Sequence, residues 1–184
     1  LVLAAITVFS GCKKGELELQ PLDKLTPSSA FNTEDDLQLY VNSMYNILPQ
    51  ADDIIRADDL SDYAANKSAS QYLIPNGFSA TQATGWSWSS LRNVNYFLQH
   101  YRQAKVTDAV KNNYGGIARL FRAWFYYNMV RKFGDVPWYN APLDVNDSTL
   151  YKPRDPRSLA MDSVLADLDY ACANITAPKD NTAS

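Results

Sequence analysis

One histidine, two cysteines and seven glycines in 184 residues rule several common chemistries out of expectation. With His100 alone, neither a classical zinc site nor a histidine-based catalytic set is expected. No phosphate-cradling glycine loop and no D-x-[DN]-x-[DN]-G calcium loop occurs. The 17 lysines and arginines are scattered and the net charge is −3, which argues against a nucleic-acid binder with its concentrated basic face. The apolar run at residues 1–9, "LVLAAITVF", is too short to span a bilayer, which takes ~20 residues as a helix. No alternating strand pattern of useful length appears. What the chain has in quantity is amphipathic aromatics: 12 tyrosines and 4 tryptophans against 7 phenylalanines. Such side chains suit surfaces that are half apolar and half wet.

The first cysteine sits at an abrupt change of character. The apolar run ends in Ser10-Gly11, then Cys12, then the polar "KKGE". The run has the length of a signal-peptide core ending at small residues, where a peptidase needs access. Small residues directly before a cysteine resemble a bacterial lipoprotein processing site, although Phe9 stands where leucine is commoner. In that reading residues 1–11 are a signal peptide truncated at its start, Cys12 is acylated, and residues 12–32 are a lipidated tether. The competing reading is a buried N-terminal element with an incidental thiol. Cys172 then stands alone, without a disulfide framework, and its place on an apolar helical stripe predicts a small core residue.

Residues 33–184 read as one α-helical domain, incomplete at its C-terminus. "FNTEDDLQLYVNSMYNILP" carries Thr33 and Asp36 as a capping-box variant, helical spacing from Leu37 to Leu48, and Pro49 as a stop. Periodicity is then lost over residues 50–85, apart from a short helical piece near Asp52 to Arg56; a stretch this long inside a compact domain tends to be functional. Residues 87–104 and the segment after Thr107 form a predicted helical hairpin, the second helix ending at Gly134. That second helix is apolar nearly all round, with Ile117, Leu120, Phe121, Trp124, Phe125 and Met129, and is expected to be the most buried element. Gly115 and Gly116 within it suggest close approach of a neighbour. After the extended "DVPWYNAPLDVNDSTLYKP", a last helix is expected with Asp155 as cap, Pro156 at its first position, and Met161, Val164, Leu165, Leu168, Cys172 and Ile175 as its core stripe. The architecture is all-α, in helix pairs, with a long irregular loop region; whether the pairs are a true tetratricopeptide array stays open.

Several segments in order resemble the RagB/SusD family: the lipobox, "FNTEDDLQLYVNSMYNIL", "WSWSSLRNVNYFLQH", "IARLFRAWFYYNMVRKFGDVPWY" and "YKPRDPRSLAMDSVLADLDYA". The runs from Ala118 to Pro137 and from Arg154 to Asp169 are the most specific of them. The resemblance implies a surface-exposed outer-membrane lipoprotein, lipid-anchored and facing the cell exterior. It also implies tetratricopeptide-like helix pairs, and a glycan-binding role beside a TonB-dependent, SusC-like transporter to which oligosaccharides are delivered. It covers essentially the whole chain and implies only the N-terminal part of a longer protein.

Sugar rings offer apolar C–H faces and polar hydroxyl edges, so a binder needs flat aromatics and planar polar groups. Residues 58–95 supply both: Tyr63, Tyr72, Phe78, Trp86 and Trp88, with Asp58, Asp62, Asn66, Gln71, Arg92 and Asn93. By the resemblance, Trp86 and Trp88 come first as ligand contacts, then Arg92, Asn93 and Tyr72. Trp86 is open between ligand contact and packing, and Trp88 leans to packing. Trp124 to Tyr127 lie mid-helix and read as core, Trp138 and Tyr139 as a loop laid over the bundle, and Arg119, Arg122 and Arg131 as cross-links or solvated cations. Adjacent aspartates at 52–62 do not display the two opposed carboxylates of a glycosidase, so no catalysis, cofactor or metal is expected. Two rival functions remain: a lipid-anchored helical-repeat scaffold binding protein or peptide partners, and, behind it, a glycoside hydrolase.

Overall fold

The computed structural model of the protein describes residues 31–55, 67, 74, 75, 77, 79 and 84–176. Five α-helices make up the described body: α1 (Glu34–Met44), α2 (Ala51–Ile55), α3 (Ser89–His100), α4 (Asp108–Phe133) and α5 (Arg157–Asn174). Short 3₁₀ turns at Tyr45–Ile47, Tyr101–Gln103 and Ser148–Tyr151 extend or link them. Among the described residues there is no strand beyond an isolated antiparallel bridge between Val136 and Asp155. The fold is therefore all-α, as expected.

The helix starts follow local chemistry. Thr33 accepts a hydrogen bond from the Asp36 N–H at 3.2 Å while the Asp36 carboxylate accepts from the Thr33 N–H at 2.9 Å, a complete capping box. Thr107 caps α4, and Gly134 (φ 71°) ends it. The start of α5 departs from expectation. Pro156 occupies the cap position, and the Arg157 N–H is bonded instead by the Asp135 carboxylate at 2.9 Å, reaching from the end of α4. Asp155 is drawn away by stronger partners described below.

Long α4 is the axis on which α5, α3 and α1 pack, α5 most extensively. Two apolar clusters result. One joins Phe31, Leu37, Val41, Val94, Phe97, Tyr101, Ala118 and Phe121. The packed body thus reaches back to Phe31, which is fully buried and stacked on His100 at 5.8 Å. Gly115 lies in this cluster because a side chain there would overlap the Tyr101 ring. The other cluster joins Leu91, Phe125, Tyr126, Met129, Val136, Ala160 and Val164 and underlies the site. Burying each large side chain contributes about 1.5–3 kcal/mol, so these clusters dominate the stabilising side.

Two helix faces differ from the pattern read in the sequence. On α4, Leu120 and Trp124 remain 41% and 37% exposed, so the helix is one-sided rather than buried all round. They line a groove of about 800 Å³ with Tyr45 of the α1 end and Ile175. On α5 the buried stripe is Ala160, Val164, Asp167 and Ala171, while Leu165 and Cys172 are exposed. The expected core cysteine is thus on the surface. The helix is rotated so that Asp167 faces α4, where Arg122 meets it.

Candidate functional site

The chain enters α3 through Gly85, whose φ of 89° is open to glycine and strained for other residues. This turn sets Trp86 and Trp88 edge to face, centroids 5.2 Å apart. Trp88, at the α3 cap position, is half-buried against Phe125 (5.5 Å), Tyr126 (6.2 Å) and Tyr139 (5.4 Å). Trp86 leans on Phe133 at 4.9 Å and stays 42% exposed. The Arg154 guanidinium lies 4.7 Å from the Trp86 ring centroid, within cation–π range.

Opposite these tryptophans runs the 136–155 loop, and the space between is a cleft of about 610 Å³. Trp86, Trp88 and Arg92 line it from one side; Tyr139, Leu143, Asp144, Lys152 and Arg154 line it from the other. Three of the five sequence-selected ligand residues therefore come together. Asn93 does not join them: it turns away and donates to the Ser43 hydroxyl at 3.2 Å, tying α3 to α1. Tyr72, like the lipidation candidate Cys12, lies outside the described residues.

The cleft wall is held by its main chain. Asn95, buried on α3, donates from its amide to the carbonyls of Tyr139 (3.0 Å) and Ala141 (3.3 Å). Its own carbonyl accepts from Arg122 at 3.4 Å, and Arg122 makes a two-pronged ion pair with Asp167 at 2.6 and 2.7 Å. All three side chains are buried, so a polar relay runs from α5 through α4 and α3 to the loop. Buried charges persist only when paired and hydrogen-bonded in this way. The Tyr126 hydroxyl accepts from the Tyr139 N–H at 2.6 Å and donates to the Tyr139 carbonyl at 3.2 Å; burial pushes its pKa well above the usual tyrosine value. On the outer side, Lys152 donates to the Trp138 carbonyl (2.8 Å) and to Asp155 (2.6 Å), and Asp155 accepts from the Trp138 N–H at 2.7 Å. The Lys152 ammonium, and after it that N–H, hold the Asp155 carboxyl below its ordinary range. Arg92 donates from Nη1 to the Leu143 carbonyl, and its Nη2 lies 3.8 Å from Asp144.

Sequence reasoning missed this loop's share of the site. Trp138 does pack down as expected, 4.1 Å from Tyr126, but Tyr139, Lys152 and Arg154 of the same segment face the cleft. The available signal was the density of anchors around it: prolines at 137, 142 and 153, an acid at 135, and an acid at 155 beside Arg154. Chemically the cleft offers an exposed indole, guanidinium groups and backbone-braced walls, a set suited to binding. Among the described residues no cluster of three or more His, Cys, Asp or Glu forms a metal site, and no helix is long and apolar enough to cross a membrane.

Residues 27–184 match the SusD-like family model described as "Starch-binding associating with outer membrane". The chain is 26% identical to SusD-like protein P38 of Formosa agariphila, over 96% of the chain and 37% of that protein. It is 23% identical to SusD-like protein P2 of the same organism, over 92% of the chain and 36% of the relative. Among solved structures, a SusD-like protein from Bacteroides fragilis superposes with a TM-score of 0.70 at 20% identity, covering 89% of this chain and 34% of that one. The chain thus spans little more than a third of these relatives.

Proposed function

The chain belongs to the SusD-like family, a family described as starch-binding and associated with the outer membrane, and from that premise we propose that it captures oligosaccharides in the cleft between Trp86 and the 136–155 loop. Cys12 carries the lipid that anchors the protein to the outer membrane, facing the exterior. The captured sugar is passed to a SusC-like, TonB-dependent transporter, which supplies the energy of uptake. The observation that carries the reading is the Trp86 indole, 42% exposed at the cleft yet braced by Trp88, Phe133 and Arg154. A rigid aromatic face binds a sugar's C–H face at low entropic cost. Trp88, more enclosed, supports Trp86, and Arg92 supplies donors to ring hydroxyls. Asn93 and Tyr72 are not required for this reading.

The described lining of the cleft supports binding over hydrolysis. Its one lining carboxylate among the described residues is Asp144, 92% exposed in its side chain, whereas a glycosidase needs two opposed carboxyls. A second reading, a scaffold for protein or peptide partners, draws on the apolar groove with exposed Leu120 and Trp124.

The test is retardation of the lipid-free protein in native gels containing a panel of polysaccharides. Retardation by at least one glycan is expected, with affinity lost tenfold or more in a folded Trp86→Ala protein. If no glycan retards the protein, or if Trp86→Ala retards equally, the cleft reading is wrong and the partner-binding groove takes precedence.

A further inference from the structure

The cleft carries a charge opposite to that of the chain. Acids outnumber bases overall, 20 to 17. Yet Arg92, Lys152 and Arg154 line the cleft against Asp144 as the one lining acid among the described residues. What each cation is already doing separates them. Lys152 is engaged, with its ammonium on Asp155 at 2.6 Å and on the Trp138 carbonyl at 2.8 Å. Arg92 spends Nη1 on the Leu143 carbonyl, but its Nη2 meets Asp144 only at 3.8 Å, with the two side chains 56% and 92% exposed. An exposed pair of that kind is weak and exchanges readily for another anion. Arg154 is less engaged still. Its Nη1 reaches the carbonyls of Phe133 and Asp135 only at 3.4 Å, and Nε and Nη2 have no hydrogen-bond partner among the described residues. The guanidinium is nevertheless positioned, stacked 4.7 Å from Trp86.

A guanidinium only donates, so toward a hydroxyl it serves the oxygen's acceptor role alone and leaves the O–H to another partner. Its planar fork matches a carboxylate or a sulfate, where the bonds are charge-assisted and stronger. We infer that the ligand of this cleft is an acidic saccharide, its carboxylate or sulfate ester bound by Arg154 with Arg92 as the second cation, and its ring packed at Trp86. This rests on the glycan-capture reading above. Asp144, exposed and 3.8 Å from Arg92, is displaced by the entering anion, while the Leu143 carbonyl keeps the guanidinium oriented.

The experiment is calorimetric titration of the protein with three oligosaccharides of matched length: an oligogalacturonate, a sulfated galactan fragment and a neutral maltooligosaccharide. At least one acidic probe is expected to bind about tenfold or more tighter than the maltooligosaccharide. That preference is expected to weaken with added sodium chloride, and to fall about tenfold in Arg154→Gln. Arg92→Gln, a second exposed substitution, is expected to lower it by a smaller factor. The uronate and sulfate arms identify which anion is read. Binding of the maltooligosaccharide as tightly as the acidic probes, abolished by Trp86→Ala and untouched by Arg154→Gln, would overturn the acidic inference and leave glycan capture standing. Failure of all three probes to bind would count against glycan capture itself, and the inference would fall with it.

Discussion

Replacing Asp167 by asparagine removes the charge that holds the relay together while keeping the side chain's size. Asp167 is 3% exposed and Arg122 is 8% exposed, and they are joined by hydrogen bonds of 2.6 and 2.7 Å. In the variant the amide offers Arg122 one neutral carbonyl in place of two charge-assisted bonds, its N–H groups face a group that only donates, and the guanidinium keeps no counter-charge within hydrogen-bond reach. An uncompensated buried charge costs roughly 3–5 kcal/mol, a large part of a typical total stability of about 5–15 kcal/mol. Removing both charges is different. Arg122→Met with Asp167→Leu leaves the Asn95 carbonyl short of a donor, at about 1–3 kcal/mol, and removes the looser ion pair of 3.6 Å that Asp167 makes with part-exposed Arg119. Urea unfolding of Arg122→Met, Asp167→Leu and the double variant closes the cycle, with Asp167→Asn measured beside them, provided the slopes agree. The expected result is a double variant more stable than Asp167→Asn. A single substitution costing under about 1 kcal/mol, or a double variant whose cost equals the sum of the singles, would refute the account of a desolvated, mutually dependent pair.

Gly115→Ala tests close packing, because the added carbon would lie 2.8–2.9 Å from the ring of Tyr101, itself buried. Overpacking at roughly 1–3 kcal/mol exceeds the helix-propensity gain of about 1 kcal/mol. A lower thermal midpoint than that of Gly116→Ala is expected, since the latter meets the partly exposed and more yielding Ile175; a raised midpoint for Gly115→Ala would contradict the packing. The tyrosines give a pH prediction. Burial, and after it the neighbouring Tyr96 phenol, push Tyr40 up to about 12, and burial pushes Tyr126 higher. Because the folded pKa is raised above the ordinary value of 10.0, their contribution to stability is fully present below pH 10.0; that of Tyr40 is lost as pH rises through about 12, and that of Tyr126 only beyond it. Tyrosinate absorbance is therefore expected to show a late fraction that ionises together with loss of near-ultraviolet circular dichroism. A single wave of all 12 tyrosines near the ordinary value, with the dichroism intact, would contradict their burial.

The helices were legible because their signals are local. Thr33 with Asp36, Thr107, Gly134 and the apolar spacing of α1 and α3 each act within a few residues, and each stands where it was read. The α5 face was misread because an aspartate counts as polar in any periodic pattern. Its partner lies 45 residues away, so the stripe through Ala160, Val164, Asp167 and Ala171 could be recognised only with Arg122 in place. The same long range hid the start of α5: Asp155, adjacent to Pro156, looked like its cap, but it bonds to Lys152 and Trp138, while Asp135 serves the helix from 22 residues away. In the cleft, Trp86, Trp88 and Arg92 were legible as residue types at a loop-to-helix junction. Asn93 lies outside the cleft because one step of 100° along α3 separates it from Arg92 and turns it toward α1. Tyr139, Lys152 and Arg154 were invisible as cleft residues because the loop carrying them has no period to read.

The cleft wall is gripped through atoms that every residue possesses. Asn95 holds the carbonyls of residues 139 and 141, Arg92 that of 143, Lys152 that of 138, and Tyr126 both main-chain groups of 139. The scaffold therefore does not depend on which side chains the loop displays between its anchors. Substitution at Leu143, Asp144 or Val145 can alter the lining of the cleft without loosening its mount. Selection could reshape such a cleft by editing a handful of surface codons, with the costly interior left as inherited.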